Sequence, residues 1–319
     1  MITKEPSQDV TPLSNEQAGF PAEITPDGLT PPRAPQPSSN LAWLEVLKAF
    51  VGWILTVAML AVVPVFVALP YVIYQWSKFG PPRPEALTAD KTLIFLSILG
   101  ILPTHLLTLG LVWLFVTEGG KKPFWETLSF RWPRYSSPLF ATLMCVLLAL
   151  GLLAIGWAVT VFLGGEKTQL DLLVESSMAA RVATALVAVG TAPLVEEVVY
   201  RGMLYSASER AMGKGLAVVF VSLLFAGVHV LQYSNNIGVI LVITILSFAL
   251  TLARAYTGSL VPPFIIHLVF NGIQAVFIVL SPFIDKNLPK TEQVTPTTPG
   301  LELAGRLIET ISVYVWRMT

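Results

Sequence analysis

The chain has 319 residues, 54% hydrophobic and 13% charged, with a mean hydropathy of +0.69. Soluble domains carry about 25% charged residues, so this composition excludes an ordinary soluble globule and points to a membrane protein. Twenty Lys and Arg balance 20 Asp and Glu, which leaves no electrostatic basis for binding nucleic acid.

Residues 1–40 hold scattered prolines and no apolar run, so they are expected to form a disordered tail. They lack the basic start and short apolar core of a cleavable signal peptide, and the first transmembrane helix is expected to act as an uncleaved anchor. Residues 41–180 contain three predicted spans, 49–74, 92–116 and 138–163. The polar connection after the second joins Lys121, Lys122, Arg131 and Arg134 to Trp125 and Trp132, a mix that suits a membrane interface. Cys145, the only cysteine, lies within the third span and reads as a small buried core residue.

Residues 181–281 contain four more predicted spans, 182–206, 214–232, 236–255 and 260–281, for about seven in all. No alternating ten-residue segments suggest a membrane barrel, so the predicted fold class is all-α, a polytopic helical bundle. Residues 282–319 open with a Pro/Thr-rich linker. Ala304, Leu307, Ile308, Ile311 and Val315 then recur at helical spacing, which suits a helix on the membrane surface or packed on the bundle. Lys and Arg lean slightly towards an N-terminus inside, too little to set orientation. No internal repeat suggests a transporter built from inverted halves.

An ionised side chain at the centre of a spanning helix costs about 3 kcal/mol, so each one in a span asks for a reason. The census is short: His105, the trio Glu196, Glu197 and Arg201, His229, and His267; Arg254 sits near a span end, where it can snorkel. Glu197 and Arg201 are four apart, the spacing of a helical ion pair, whereas Glu196 points about 100° away from Glu197. The simplest division makes the pair structural and leaves Glu196 for chemistry. Phe225 and His229, and likewise His267 and Asn271, are four apart, so each pair can present one face to a shared polar cavity formed by the C-terminal spans.

Such a cavity suits a hydrolase without a nucleophilic side chain. Glu196 takes a proton from a water that His229 helps to hold, while His267 and Asn271 donate to the oxyanion of a tetrahedral intermediate. HExxH and GxSxG are absent, as is an Asp pair within the spans. Zinc stays open as an alternative, with Glu196, His229 and His267 as ligands and His105 as a further imidazole; a helix-to-helix hydrogen bond is the plainer role for His105.

EEVVYR fits EExxxR, FAGVH fits FxxxH and HLVFN fits HxxxN, in that order and each within a hydrophobic span. Together they resemble the CPBP family of intramembrane proteases, which includes the eukaryotic Ras-converting CAAX prenyl endopeptidase and the bacterial Abi proteins tied to bacteriocin self-immunity. The resemblance covers roughly residues 181–280. It implies that Glu196 and His229 activate water and that His267 and Asn271 form the oxyanion hole, with Glu197, Arg201 and Phe225 at the remaining motif positions. It further implies a glutamate-dependent endopeptidase without a cofactor, acting on a peptide or membrane-protein substrate near the bilayer surface of the cell membrane. Prenyl specificity does not transfer with it. The competing readings are a non-enzymatic membrane scaffold or immunity protein, a zinc-dependent version of the protease, and a transporter.

Overall fold

The computed structural model describes residues 39–81, 83–163, 167–233 and 236–287. The expected N-terminal tail and C-terminal amphipathic helix lie outside them. Among the described residues there is no strand, and many large apolar side chains, such as Phe66, Leu106 and Phe162, face outward. On an α-helical bundle of this hydropathy, that outer surface is the lipid-facing one.

Helix α1 (Ser39–Phe79) has 41 residues, about 60 Å at 1.5 Å each, so its ends stand beyond a hydrocarbon core of about 30 Å. After α2 (Pro84–Ala89), helices α3 (Lys91–Leu99) and α4 (Ile101–Val116) form the next span. Asp90 starts it by accepting from the backbone N–H groups of Thr92 and Leu93 at 2.8 and 3.0 Å, and it also accepts from the Tyr71 hydroxyl of α1 at 2.8 Å.

A short α5 (Phe124–Thr127) interrupts the loop before α6 (Pro138–Leu163). The buried stripe of α6 comprises Ala141, Cys145, Ala149, Leu152, Gly156 and Thr160. All but Leu152 are small, which lets neighbouring backbones approach where apolar burial gives no drive against lipid. Cys145, as expected, is a packed core residue beside Leu246 and Ile266.

Helices α7 (Gln169–Ser176) and α8 (Met178–Gly190) lead into the motif-bearing helices. Thr191 leaves helical geometry, and Pro193, with no N–H to lose, restarts the chain as α9 (Ala192–Glu197). A π-helical segment, Val198–Leu204, follows, in which the Tyr205 N–H reaches back to the Tyr200 carbonyl. This departs from the regular α-helix expected there, and such insertions are frequent at functional sites.

Helix α10 (Tyr205–Tyr233) contains a non-helical Gly213 at φ 79°, ψ 168°, a region essentially reserved for glycine. By apolar length alone there are six spans rather than seven, because Met178–Val230 is one 53-residue stretch. Straight, it would run about 80 Å. Instead the Tyr200 and Phe225 rings, on opposite sides of Gly213, sit 4.9 Å apart, so the chain reverses there and the stretch crosses twice.

Helices α11 (Ile237–Thr257) and α12 (Val261–Asn287) complete the bundle. Gly258, in the left-handed region at φ 62°, ends α11. The turn that follows is docked on the α5 loop: Leu260 N–H donates to the Ser129 carbonyl at 3.0 Å, and the Ser259 hydroxyl donates to the Arg131 carbonyl. Helix α12 lies against α6, α8 and α11, while α10 lies between α11 and α1.

Candidate active site

A cavity of about 430 Å³ lies between these helices, and Glu196, Phe225, His229, His267 and Asn271 all line it. Glu196 and Glu197 are neighbours in sequence with different surroundings. The Glu196 side chain is 27% exposed, while Glu197 and Arg201 are at 0%. Arg201 Nη1 donates to Glu197 Oε1 at 3.0 Å, the ion pair expected from the spacing.

Burying an ion pair is favourable only when its remaining hydrogens are also satisfied. Here they are held by α11: Arg201 Nη2 donates to both the carbonyl and hydroxyl of Ser247 at 3.0 Å, and Nε donates to the Thr251 hydroxyl at 3.2 Å. The guanidinium carbon lies 4.7 Å from the centroid of the Phe225 ring, a cation–π contact. Phe225 therefore has its own structural work, joining Arg201 to His229, whose ring lies 4.7 Å away.

His267 links the two glutamates. Its Nδ1 is 2.9 Å from Glu197 Oε1, and its Nε2 is 3.7 Å from Glu196 Oε2. The 100° separation of the two carboxylates thus does not send them to unrelated parts of the bundle, because one imidazole spans both. Glu197 Oε1 already accepts from Arg201, so Nδ1 of His267 is the donor to it and Nε2 is directed at Glu196. In His229 the Nδ1 atom is 2.8 Å from the Phe225 carbonyl, which only accepts, so Nδ1 carries the hydrogen and Nε2 is left to the cavity. Asn271 Nδ2 donates one hydrogen to the Ala188 carbonyl at 3.1 Å and has a second to offer.

Two other expectations meet the structure differently. His105 does make a helix-to-helix hydrogen bond, Nδ1 to the Thr191 hydroxyl at 2.7 Å, at the break that starts α9. Arg254 does not snorkel: it is 6% exposed and turns inward, donating to the Arg201 carbonyl and the Ser206 hydroxyl at 3.2 Å. The Arg201 carbonyl of the π segment gives it a buried acceptor in place of water at the interface. For zinc, no three His, Cys, Asp or Glu side chains among the described residues gather closely enough to hold a metal.

Sequence reasoning overlooked the first half of the chain. Trp53 Nε1 donates to the Tyr200 hydroxyl at 3.1 Å, and α1, α3 and α4 supply a cavity wall that includes Thr56, Ile98, Thr104 and His105. Ser247 and Thr251 were also missed, although two hydroxyl residues four apart in an apolar span are a readable sign of a buried polar partner.

Residues 178–273, which carry every one of the motif positions, match the family described as Type II CAAX prenyl endopeptidase Rce1-like. Over these residues, about a third of the chain, the protein is similar to the CAAX protease family. No curated protein and no solved structure matches the chain. The matching segment begins at the first residue of α8 and ends within α12, so it takes in the break at Thr191, the π segment and the Gly213 reversal. The apolar spans fit an integral, multi-pass membrane protein, and the matched family supports a protease in general.

Proposed function

We propose that the cavity hydrolyses a peptide bond of a membrane-associated protein through a water activated by Glu196, with no metal taking part. The observation that carries this reading is the division of labour between adjacent glutamates: Glu197 is buried and committed to Arg201 and His267, while Glu196 opens on the cavity.

In this mechanism Glu196 takes a proton from water, whose second contact is the free Nε2 of His229. The resulting hydroxide attacks the carbonyl carbon. The oxyanion receives hydrogen bonds from the second hydrogen of Asn271 Nδ2 and from Nε2 of His267 in its doubly protonated form, whose Nδ1 hydrogen stays on Glu197. Collapse of the intermediate breaks the C–N bond, and Glu196 returns its proton to the departing amine. His267 is held in place by Glu197, and Asn271 by the Ala188 carbonyl, so donors are positioned before substrate arrives.

The test is cleavage of a broad peptide and membrane-protein library by wild type and Glu196→Gln, each with and without a strong zinc chelator. The expected result is activity that survives chelator and falls by about 10²-fold or more in the variant, the scale of a lost general base. Activity abolished by chelator and restored by zinc would reassign Glu196, His229 and His267 as ligands. Undiminished activity in Glu196→Gln would overturn the mechanism.

A further inference from the structure

The same cavity has a second carboxylate that the mechanism does not use. Asp171, on α7, lines it and is 4% exposed. Its Oδ2 accepts from the backbone N–H and the hydroxyl of Thr168 at 2.5 and 2.8 Å, closing a capping box at the start of α7. Its Oδ1 is buried and has no hydrogen-bond partner among the described residues. The hydroxyl of Thr184, another cavity-lining residue, is likewise unpartnered.

Charge supplies the second observation. Asp171 and Glu196 both line the cavity, and no Lys or Arg among the described residues does. Lys167, the cation closest in sequence, is paired with Glu175 at 2.9 Å. Burial pushes the Asp171 carboxyl above the ordinary carboxylate range, and only a smaller opposing effect comes from Thr168. An acid so placed gains most from a positive partner with N–H donors.

We propose that Asp171 forms a specificity subsite that receives a lysine or arginine side chain of the substrate, through its buried Oδ1. This rests on the reading of the cavity as a peptide-binding site. Helix α7 then serves as more than a connection between α6 and α8: its first turn carries the acceptor, and its capping box fixes that acceptor in one rotamer.

The experiment uses the full chain in nanodiscs and internally quenched peptides built on one apolar scaffold, with lysine, norleucine or glutamate at successive positions. Two readouts are taken: kcat/KM for wild type, and equilibrium binding to Glu196→Gln by fluorescence anisotropy. Lysine is expected to exceed norleucine by about tenfold at one position in both readouts, as for one charge-assisted hydrogen bond. Asp171→Asn should bring that ratio close to one, and Asp171→Glu should retain a preference. Thermal melts identify a variant that has lost its fold, in which case the wild-type ratio and Asp171→Glu decide. Cleavage with no lysine preference at any position overturns the subsite and leaves the protease reading intact. Lysine-selective binding without cleavage supports the subsite and counts against the protease reading. No lysine preference in either readout overturns the subsite.

Discussion

Two glutamates one residue apart have opposite consequences when altered. Removing the charge of Glu196 touches a partly exposed side chain in a cavity, so the loss belongs to activity. Removing that of Glu197 leaves Arg201 buried at 0% exposure with its only ionic partner gone. Breaking a buried pair from one side costs about 3–5 kcal/mol, so Glu197→Gln should lower the melting temperature and raise protease sensitivity even without substrate. Glu196→Gln should melt close to wild type. The same contrast applies to His267, whose imidazole bridges both positions: His267→Ala is expected to lose activity and part of the stability together, measured by cleavage rate and by thermal melt. Asp90 offers a pH test outside the spans. Burial there favours the neutral acid, but the N–H groups of Leu93 and Thr92 and the Tyr71 hydroxyl outweigh it and hold the carboxyl below its ordinary range. A depressed folded pKa stabilises above the unfolded value, about 3.9, and that contribution fades as pH falls through the folded one. Asp90→Ala should therefore cost about 1 kcal/mol at neutral pH, with the gap from wild type narrowing in acid melts.

Among the elements, the hairpin from the π segment through Gly213 into α10 decides where the motif residues meet. Gly213 sits in a backbone region that a Cβ strongly disfavours, so Gly213→Ala is expected to destabilise by about 1–3 kcal/mol. Because it alters the reversal that brings Tyr200 to Phe225, it should also reduce activity at a distance from the cavity. Gly202 is constrained for another reason: a Cβ there would lie 2.6 Å from Leu128 Cδ2, and Leu128 is fully buried. Gly202→Ala must push Leu128 out of its seat, an overpacking cost of about 1–3 kcal/mol that Leu128→Ala in the same chain should relieve; double-mutant melts measure both. Gly202 follows the motif arginine directly, so its requirement comes from the docking of the α5 loop on the π segment.

At the scale of the molecule, the reversal at Gly213 fixes which connections share a side of the membrane. The loop around α5, the Gly213 turn and the Gly258 turn fall on one side, and the hydrogen bond from Leu260 to Ser129 ties two of them together. The α2 connection and α7 fall on the other. Single cysteines placed at Lys121 and Lys214 in a Cys145→Ser background should therefore react with an impermeant maleimide from one side of sealed vesicles, and cysteines at Lys91 and Lys167 from the opposite side. Labelling of Lys121 and Lys214 from different sides would contradict the reversal. Because α7 lines the cavity, the polar end that holds Asp171 belongs to the same side as Lys167.

Composition and span length were enough to establish an all-α membrane bundle, because a chain in lipid has few ways to satisfy its own backbone. The motif residues were legible too, since each polar group in an apolar span is costly and so conspicuous: Glu196, His229, His267 and Asn271 all line one cavity, and the Glu197–Arg201 pair follows from helical spacing. The rest depended on contacts between residues far apart in sequence. Helical periodicity says which residues share a face, but not what that face meets, so the clasp of Ser247 and Thr251 on Arg201, the inward turn of Arg254 and the wall from α1, α3 and α4 appeared only in the folded chain. The π segment was hidden for a related reason: it lies against α1, α4 and α10 and its Arg201 carbonyl accepts from Arg254 of α11, contacts that no local propensity announces. Local chemistry marked the polar side chains within the spans, and tertiary packing decided which of them opens on the cavity.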